Sequence, residues 1–418
     1  DEAPPIEAVV RYFVRRAPTD LHYFPPEVAP DPSPISFERQ DYTIPDHSPG
    51  PGVANVKFAK LSPPHDRVII ACDMRWGLVL LLDLNRPQEG LQIIGHVPNP
   101  SHVEPVDLDQ DGFIDLLVCD MGSALPDNHT KGKVLWLRRD PESESYQPFI
   151  LAEGVGRVAD AQAEDFDGDG DLDIVVAVFG WRTVGELLYL ENRTTDWTHP
   201  EFHGTTLEKR TGAIHVPIAD LNRDGRPDFV VLFSQEHERI VAFLNEGAGQ
   251  FRREVVYAAP DPAYGSTGIE LVDLDQDGDI DVLYTNGDSL DSHLIKPYHG
   301  VQWLENQGRF PFRYHQLTAM PGVHRARAGD LDGDGDLDVI ASAFLPNLQF
   351  PQRETFPLDA IIWLENRNGQ FVRHALETRH CDHATLDLAD CDGDGFLDVI
   401  VGNLTWDGIA GKFFLPPI

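Results

Sequence analysis

Positive charge is scarce in this chain: 33 Lys and Arg stand against 69 Asp and Glu among 418 residues, a formal charge of −36. A surface that acidic repels nucleic acid and anionic lipid, and no basic patch interrupts it. Long apolar runs are missing as well. No stretch of 18 or more apolar residues occurs, so no membrane insertion is expected. Cysteine is sparse, and Cys72, Cys119, Cys381 and Cys391 form no C-x-x-C; zinc-ribbon, redox and haem-attachment readings fall away. Cys381 and Cys391 lie at opposite ends of one expected strand, roughly 30 Å apart at ~3.3 Å per residue, too far to bridge. Buried free thiols are expected, with a Cys72–Cys381 bridge as the alternative. There is no P-loop, no G-x-S-x-G and no H-E-x-x-H, and nothing supports a Ser or Cys nucleophile. At 41% hydrophobic and 9% aromatic, the chain still buries a core, and disorder is not favoured. It begins at Asp1 with neither Met nor a signal peptide, which fits a processed mature protein or a trimmed one.

What the chain has in abundance is one nine-residue phrase, Asp-x-Asp-x-Asp-Gly-x-x-Asp, written six times. The copies place Asp107, Asp109, Asp111 and Asp115; then Asp165, Asp167, Asp169 and Asp173; then Asp220, Asn222, Asp224 and Asp228. They continue with Asp273, Asp275, Asp277 and Asp281; Asp330, Asp332, Asp334 and Asp338; and Asp390, Asp392, Asp394 and Asp398. Four acidic side chains so close repel one another unless a hard cation sits among them. Oxygen ligands at alternating positions, with a Gly for the sharp turn, suit Ca²⁺ and its roughly six to eight oxygens. About six calcium ions are expected, chiefly pinning tight turns, and they would bring the net charge to about −24. Such loops point to a compartment with millimolar calcium: secreted, extracellular or periplasmic.

The first Asp of each phrase falls at 107, 165, 220, 273, 330 and 390. A period of about 56 accommodates one four-stranded propeller blade. One period upstream, Leu61 to Met74 aligns on Leu108 to Met121, but Ser62, Pro64 and Val68 replace the acids. Seven units are therefore expected, six of them calcium-binding, with loops near 60, 107, 165, 220, 273, 330 and 390. In each unit an alternating strand enters the loop and a continuous apolar strand leaves it. A third strand carries an aromatic signature (Leu135-Trp136-Leu137, Trp303-Leu304-Glu305-Asn306), and a fourth follows a Gly-rich turn. The last unit stops after a third strand near Phe413 to Leu415. Ile35 to Ile44 resembles an outer strand, so it is expected to complete blade seven and close the ring. The fold class expected is all-β: a seven-bladed β-propeller of four-stranded antiparallel blades spanning 35–418, after a Pro-rich arm over 1–34.

These repeats resemble the FG-GAP/VCBS family of calcium-binding β-propeller blades, also found in integrin alpha-subunit heads. Five loops keep every acidic position and Asn222 supplies an oxygen in the sixth. The resemblance implies fold and calcium. It implies no single activity, since members include adhesion proteins, lectins, lyases and accessory domains.

Five residues before each first Asp stand Asn55, His102, Asp160, His215, Gly268, Arg325 and Thr385; three before stand Lys57, Glu104, Gln162, Pro217, Glu270, Arg327 and Asp387. Apolar residues separate them, so a period of two turns these sets toward the ring axis. His102, Asp160, His215 and Arg325 are catalytic or binding candidates. Glu104, Glu270, Arg327, His324, His383 and Asp387 are ligand-binding candidates. Trp76 and Trp181, with Asp73, Asp120, Asn286, Asp288 and Trp406, are expected in loops on the same face. Two readings compete: a water-filled channel with a mutually paired lining, and a pocket at the channel mouth. The function expected is an extracellular module binding carbohydrate or protein through that face. A sugar-acting lyase or dehydratase and a structural subunit of an extracellular assembly are the alternatives.

Overall fold

The apolar run that leaves each acidic loop becomes the middle of a sheet, because only a strand covered on both faces tolerates unbroken hydrophobic sequence. Asp115–Asp120, Asp173–Val178, Asp228–Phe233 and Asp338–Ala343 are buried along their whole length. The computed structural model describes residues 33–44, 50–63, 65–290, 292, 294–351 and 353–405.

Six four-stranded antiparallel blades follow one another in chain order, each running from an inner strand outward. Their inner strands are Val53–Ala59, Pro100–Val106, Val158–Glu164, the split pair Ala213–His215 and Ile218–Ala219, Gly268–Val272 and Val323–Gly329. The fourth is split at Pro217, which has no N–H to give to the ladder. Each acidic loop joins the first and second strands of its unit, as expected.

The blade count corrects the sequence reading. After blade 6, His383–Ala389 and Asp398–Asn403 form a sheet of only two strands, so the described residues make six four-stranded blades and not seven. Residues 35–44, expected to close a seventh blade, form no strand. Alternation is not enough without an edge to pair with, and residues 36–43 are exposed. Arg39 of this segment instead reaches Glu377 on the outer strand of blade 6, at 3.5 Å. The strand expected near Phe413 lies outside the described residues, as does the arm up to residue 32.

The two-stranded sheet is wedged between blades 6 and 1. Asp387 accepts Phe58 N–H of blade 1 at 2.9 Å and pairs with Arg327 of blade 6 at 3.2 Å. Gly52 and Leu404 form an isolated antiparallel bridge beside them. The four cysteines are free, Cys72, Cys119 and Cys381 buried and Cys391 half-buried, so the Cys72–Cys381 pair does not form. Among the described residues, no helix is long and apolar enough to cross a membrane.

Candidate functional site

The acidic loops are built by their own carboxylates. In blade 3, Asp165 accepts Gly168 N–H at 2.8 Å and Gly170 N–H at 3.1 Å. Asp167 accepts Asp169 N–H and Asp169 accepts Asp171 N–H, at 3.1 and 3.0 Å. The sixth-position glycine takes positive φ in every loop, 99° at Gly170, which a side chain would strain. Carboxylate oxygens of Asp107, Asp109 and Asp115 lie within 4.8 Å of one another, as do those of Asp273, Asp275 and Asp281. The Asp330–Asp332–Asp338, Asp390–Asp392–Asp398 and Asp165–Asp167–Asp169 triads match them. In blade 4, Asn222 interrupts the carboxylates and donates to Asp224 at 3.0 Å.

The donor set fits a hard cation. Asp273 has a buried oxygen, Oδ1, that no hydrogen bond satisfies. Burial, then the neighbouring Asp111, lifts the Asp109 carboxyl above its ordinary range. In that loop Arg138 supplies part of the positive charge, 2.5 Å from Asp109 and 3.5 Å from Asp111.

The ninth-position acids have a structural role that the sequence did not disclose. Trp136 Nε1, Tyr189 OH and Trp303 Nε1 donate to Asp115, Asp173 and Asp281 at 2.8, 2.6 and 2.9 Å. The other oxygen of each acid takes a backbone N–H at the end of the third strand: Arg139, Asn192 and Asn306. The aromatic signature and the acidic phrase are thus one device, tying the loop to the third strand.

The second region lies at the opposite end of the inner strands. A cavity of about 860 Å³ opens at the channel mouth, floored by His102, His215, His324 and Arg325. All seven residues five before the loops belong to inner strands, but the expected strict alternation fails one step earlier. The register slips between Val53 and Asn55, Pro100 and His102, Ala213 and His215, Val323 and Arg325, and His383 and Thr385. Such a bulge re-aims a side chain. Ala54, Ser101, Ile214, His324 and Ala384 therefore line the cavity alongside their neighbours. His324 is among the expected candidates; counting back six as well as five would have found the other four.

Below the floor the channel is paired off. Lys57 bonds Glu104, and Gln162 reaches Glu104 and Asp160 at 3.2 and 3.1 Å. Arg327 sits between Asp387 at 3.2 Å and Glu270 at 3.7 Å. Four lining side chains also accept a backbone N–H from the next inner strand. Asn55 takes Val103, Asp160 takes Val216, Glu270 takes Ala328 and Asp387 takes Phe58. These bonds staple one blade to the next, and explain why polar residues face the axis.

The floor itself is different. Asp160 faces His102 at 3.2 Å and His215 at 3.6 Å. Burial alone would raise its carboxyl, but the two imidazoles and Val216 N–H outweigh it and hold the group far below the usual range. Burial, then Arg325, pushes His215 down to about 4, and burial pushes His324 to about 4, so both are neutral near pH 7. Arg325 Nη1 must donate to His215 Nε2 at 2.9 Å, which leaves His215 Nδ1–H to face Asp160. Gly268 makes room for this arginine: a Cβ there would come within 3.4 Å of Arg325 Cδ and 3.1 Å of His324 O.

The remaining candidates divide. Trp181 and Asp288 line the cavity, together with Arg157, Phe179, Leu125 and Leu348, which no motif marked. His383 does not: it bonds Asn403 at 2.7 Å and faces Glu377 at 3.5 Å. Trp76 lines a separate groove of about 630 Å³ between blade 1 and the two-stranded sheet. Asp73, Asp120 and Asn286 cap backbone N–H groups at strand ends, those of Gly52, Asn99 and Gly300. Trp406 lies outside the described residues.

Strand order and site geometry define a β-propeller. The model of the FG-GAP-like repeat matches residues 107–176 and 220–284, so this propeller carries FG-GAP-like repeats over those residues. No curated protein matches it. Among solved structures, the Dos1 propeller is similar at 9% identity, over 85% of this chain and 81% of that one, with a TM-score of 0.49. Sqt1 of Saccharomyces cerevisiae gives 10% identity, 84% and 81% coverage and 0.49. The V. cholerae biofilm matrix protein Bap1 gives 15% identity, 69% and 43% coverage and 0.41. Likeness at this level carries no functional argument. The repeat family on a propeller marks the chain, in coarse terms, as an interaction module.

Proposed function

We propose that this propeller is a calcium-stabilised module that works outside the cytoplasm and holds a protein partner at the mouth of its channel. The observation that carries the reading is the cavity of about 860 Å³ opposite the acidic loops, within the roughly 300–1,000 Å³ typical of ligand sites. Its rim carries aliphatic side chains open to solvent, Leu348 57% and Leu125 38% exposed, beside the exposed Asp127. Aliphatic side chains at a rim pack against peptide side chains.

A carbohydrate is less well matched. Sugars stack on bare aromatic faces, yet Arg182 lies 4.6 Å over the Trp181 ring and Arg157 lies 4.6 Å over Phe179. The acidic loops sit at the far end of the inner strands, so calcium there supports the ring and leaves the mouth free. Their ligand set suits millimolar calcium, which supports action outside the cytoplasm.

Photo-crosslinking residues placed at Leu348 and at Tyr314, on an outer strand, test the reading in calcium-containing buffer. Crosslinks to a discrete protein are expected at the rim only, and Leu125→Asp should abolish them. Equal crosslinking at both positions, or saturable binding on a glycan array with none to protein, would refute it.

A further inference from the structure

Two arginines separated by one residue on the same inner strand have opposite surroundings. Arg327 is held between two carboxylates, Asp387 and Glu270. Arg325, at the floor of the mouth, pairs with no carboxylate among the described residues, and its one side-chain hydrogen bond goes to His215. Its Nε is buried without an acceptor. A sunken guanidinium given only a neutral imidazole is incompletely satisfied, because a buried cation needs an anionic partner to offset lost hydration. The cavity floored by Arg325 and His324 opens directly above it, and its wall mixes the aliphatic Leu125 and Leu348 with the carboxylates Asp127 and Asp288.

We propose that Arg325 is the receptor for a carboxylate carried by the partner's polypeptide, with that segment's apolar side chains against Leu125 and Leu348. This rests on the reading of the mouth as a protein-binding site and names the chemistry it recognises. Arginine suits the role through the planar donor fork that matches a carboxylate. The carboxylates whose charge reaches Arg325 are already engaged: Asp160 by Val216 N–H, Gln162 and the imidazoles of His102 and His215, and Glu270 and Asp387 by Arg327 and by backbone N–H groups. The acid-rich loop of the same blade begins five residues further along, at Asp330, roughly 16 Å away at ~3.3 Å per residue. Its charge is screened over that distance at physiological salt.

Three capped dipeptides probe the full-length, calcium-loaded chain by isothermal titration. N-acetyl-leucyl-leucine has a free terminal carboxylate, and N-acetyl-leucyl-leucinamide has none. The α-amide of N-acetyl-leucyl-aspartic acid has one on its side chain only. Whichever acid matches the natural source should bind roughly 10-fold or more tighter than leucinamide, as a charged hydrogen bond allows. Arg325→Gln should erase that preference, while Arg325→Lys, which keeps the charge, should restore part of it; melting curves check that both variants fold. The stronger of the two acids identifies a chain terminus or a side chain as the source. Equal binding of acids and amide, a preference that survives Arg325→Gln, or no binding at all would overturn the proposal. If acids and amide bind equally and all are lost in Leu348→Asp, the mouth remains an interaction surface and only the carboxylate receptor is refuted.

Discussion

Asp387→Ala should open the ring where its closure is thinnest. The seventh unit has two strands, and Asp387 is its bridge in both directions: Phe58 N–H at 2.9 Å on one side and Arg327 at 3.2 Å on the other. Its removal leaves a half-buried N–H without an acceptor, costing about 1–3 kcal/mol. Arg327 keeps only Glu270, at 3.7 Å. A net loss of about 3 kcal/mol is the expectation, since the carboxylate also no longer has to be desolvated. At ~2.1 cal/mol/K per residue, a chain of 418 residues melting as one unit has an unfolding entropy near 0.9 kcal/mol/K. The melting temperature should therefore fall by about 3 °C. Differential scanning calorimetry in saturating calcium reads this directly. Asp387→Asn keeps an oxygen for Phe58 N–H and should recover at least half of the loss. An Asp387→Ala protein that melts within 0.5 °C of the parent would refute the role of the channel residues as staples.

Other outcomes follow from the same geometry. Chelating calcium with EGTA should lower the melting temperature by on the order of 10 °C, because each filled loop adds about 2.7 kcal/mol at one hundred times its Kd; an unchanged curve removes calcium from the account. Trp303→Phe deletes the donor to Asp281 at 2.9 Å but keeps the ring, and should cost about 1–2 kcal/mol in the same melt; a neutral result would disprove the strut. Acid should destabilise the mouth. His215 and His324 sit at about 4 when folded, below the ordinary value near 6.5. The unfolded chain therefore binds protons first, so stability is complete above pH 6.5 and falls toward pH 4, by roughly 3 kcal/mol for each such group. His324→Gln should flatten that slope relative to the parent at saturating calcium, and an identical slope would contradict it.

Much of this was legible because the signals were local. The acidic phrase is written in adjacent residues, and its turn is made by its own Asx hydrogen bonds, as around Asp165. The apolar runs after it were readable as buried strands, since Asp173–Val178 contains its own evidence of two covered faces. The residues at the mouth were partly readable, because one ruler placed His102, Asp160, His215 and Arg325 at the same position of four equivalent strands. The blade count was not. It depends on whether Ile35 to Ile44 meets a strand edge, which no alternation pattern can state.

The sequence by itself determined the repeat, the acidic loops, the four-strand pattern of a blade and the polar axis. These follow from short-range chemistry: turns, period-two burial and like charges held close. Only the tertiary structure decided the rest. Bulges one residue earlier than the expected alternation brought Ser101 and Ala384 into the cavity, and the pairing of the second and third strands within a blade joined Trp303 to Asp281. Tertiary packing also separated Arg327, paired on both sides, from Arg325, which faces the open mouth. Partners from different repeats meet only after the chain has closed around its axis, and one strand's sequence holds no record of what lies across it.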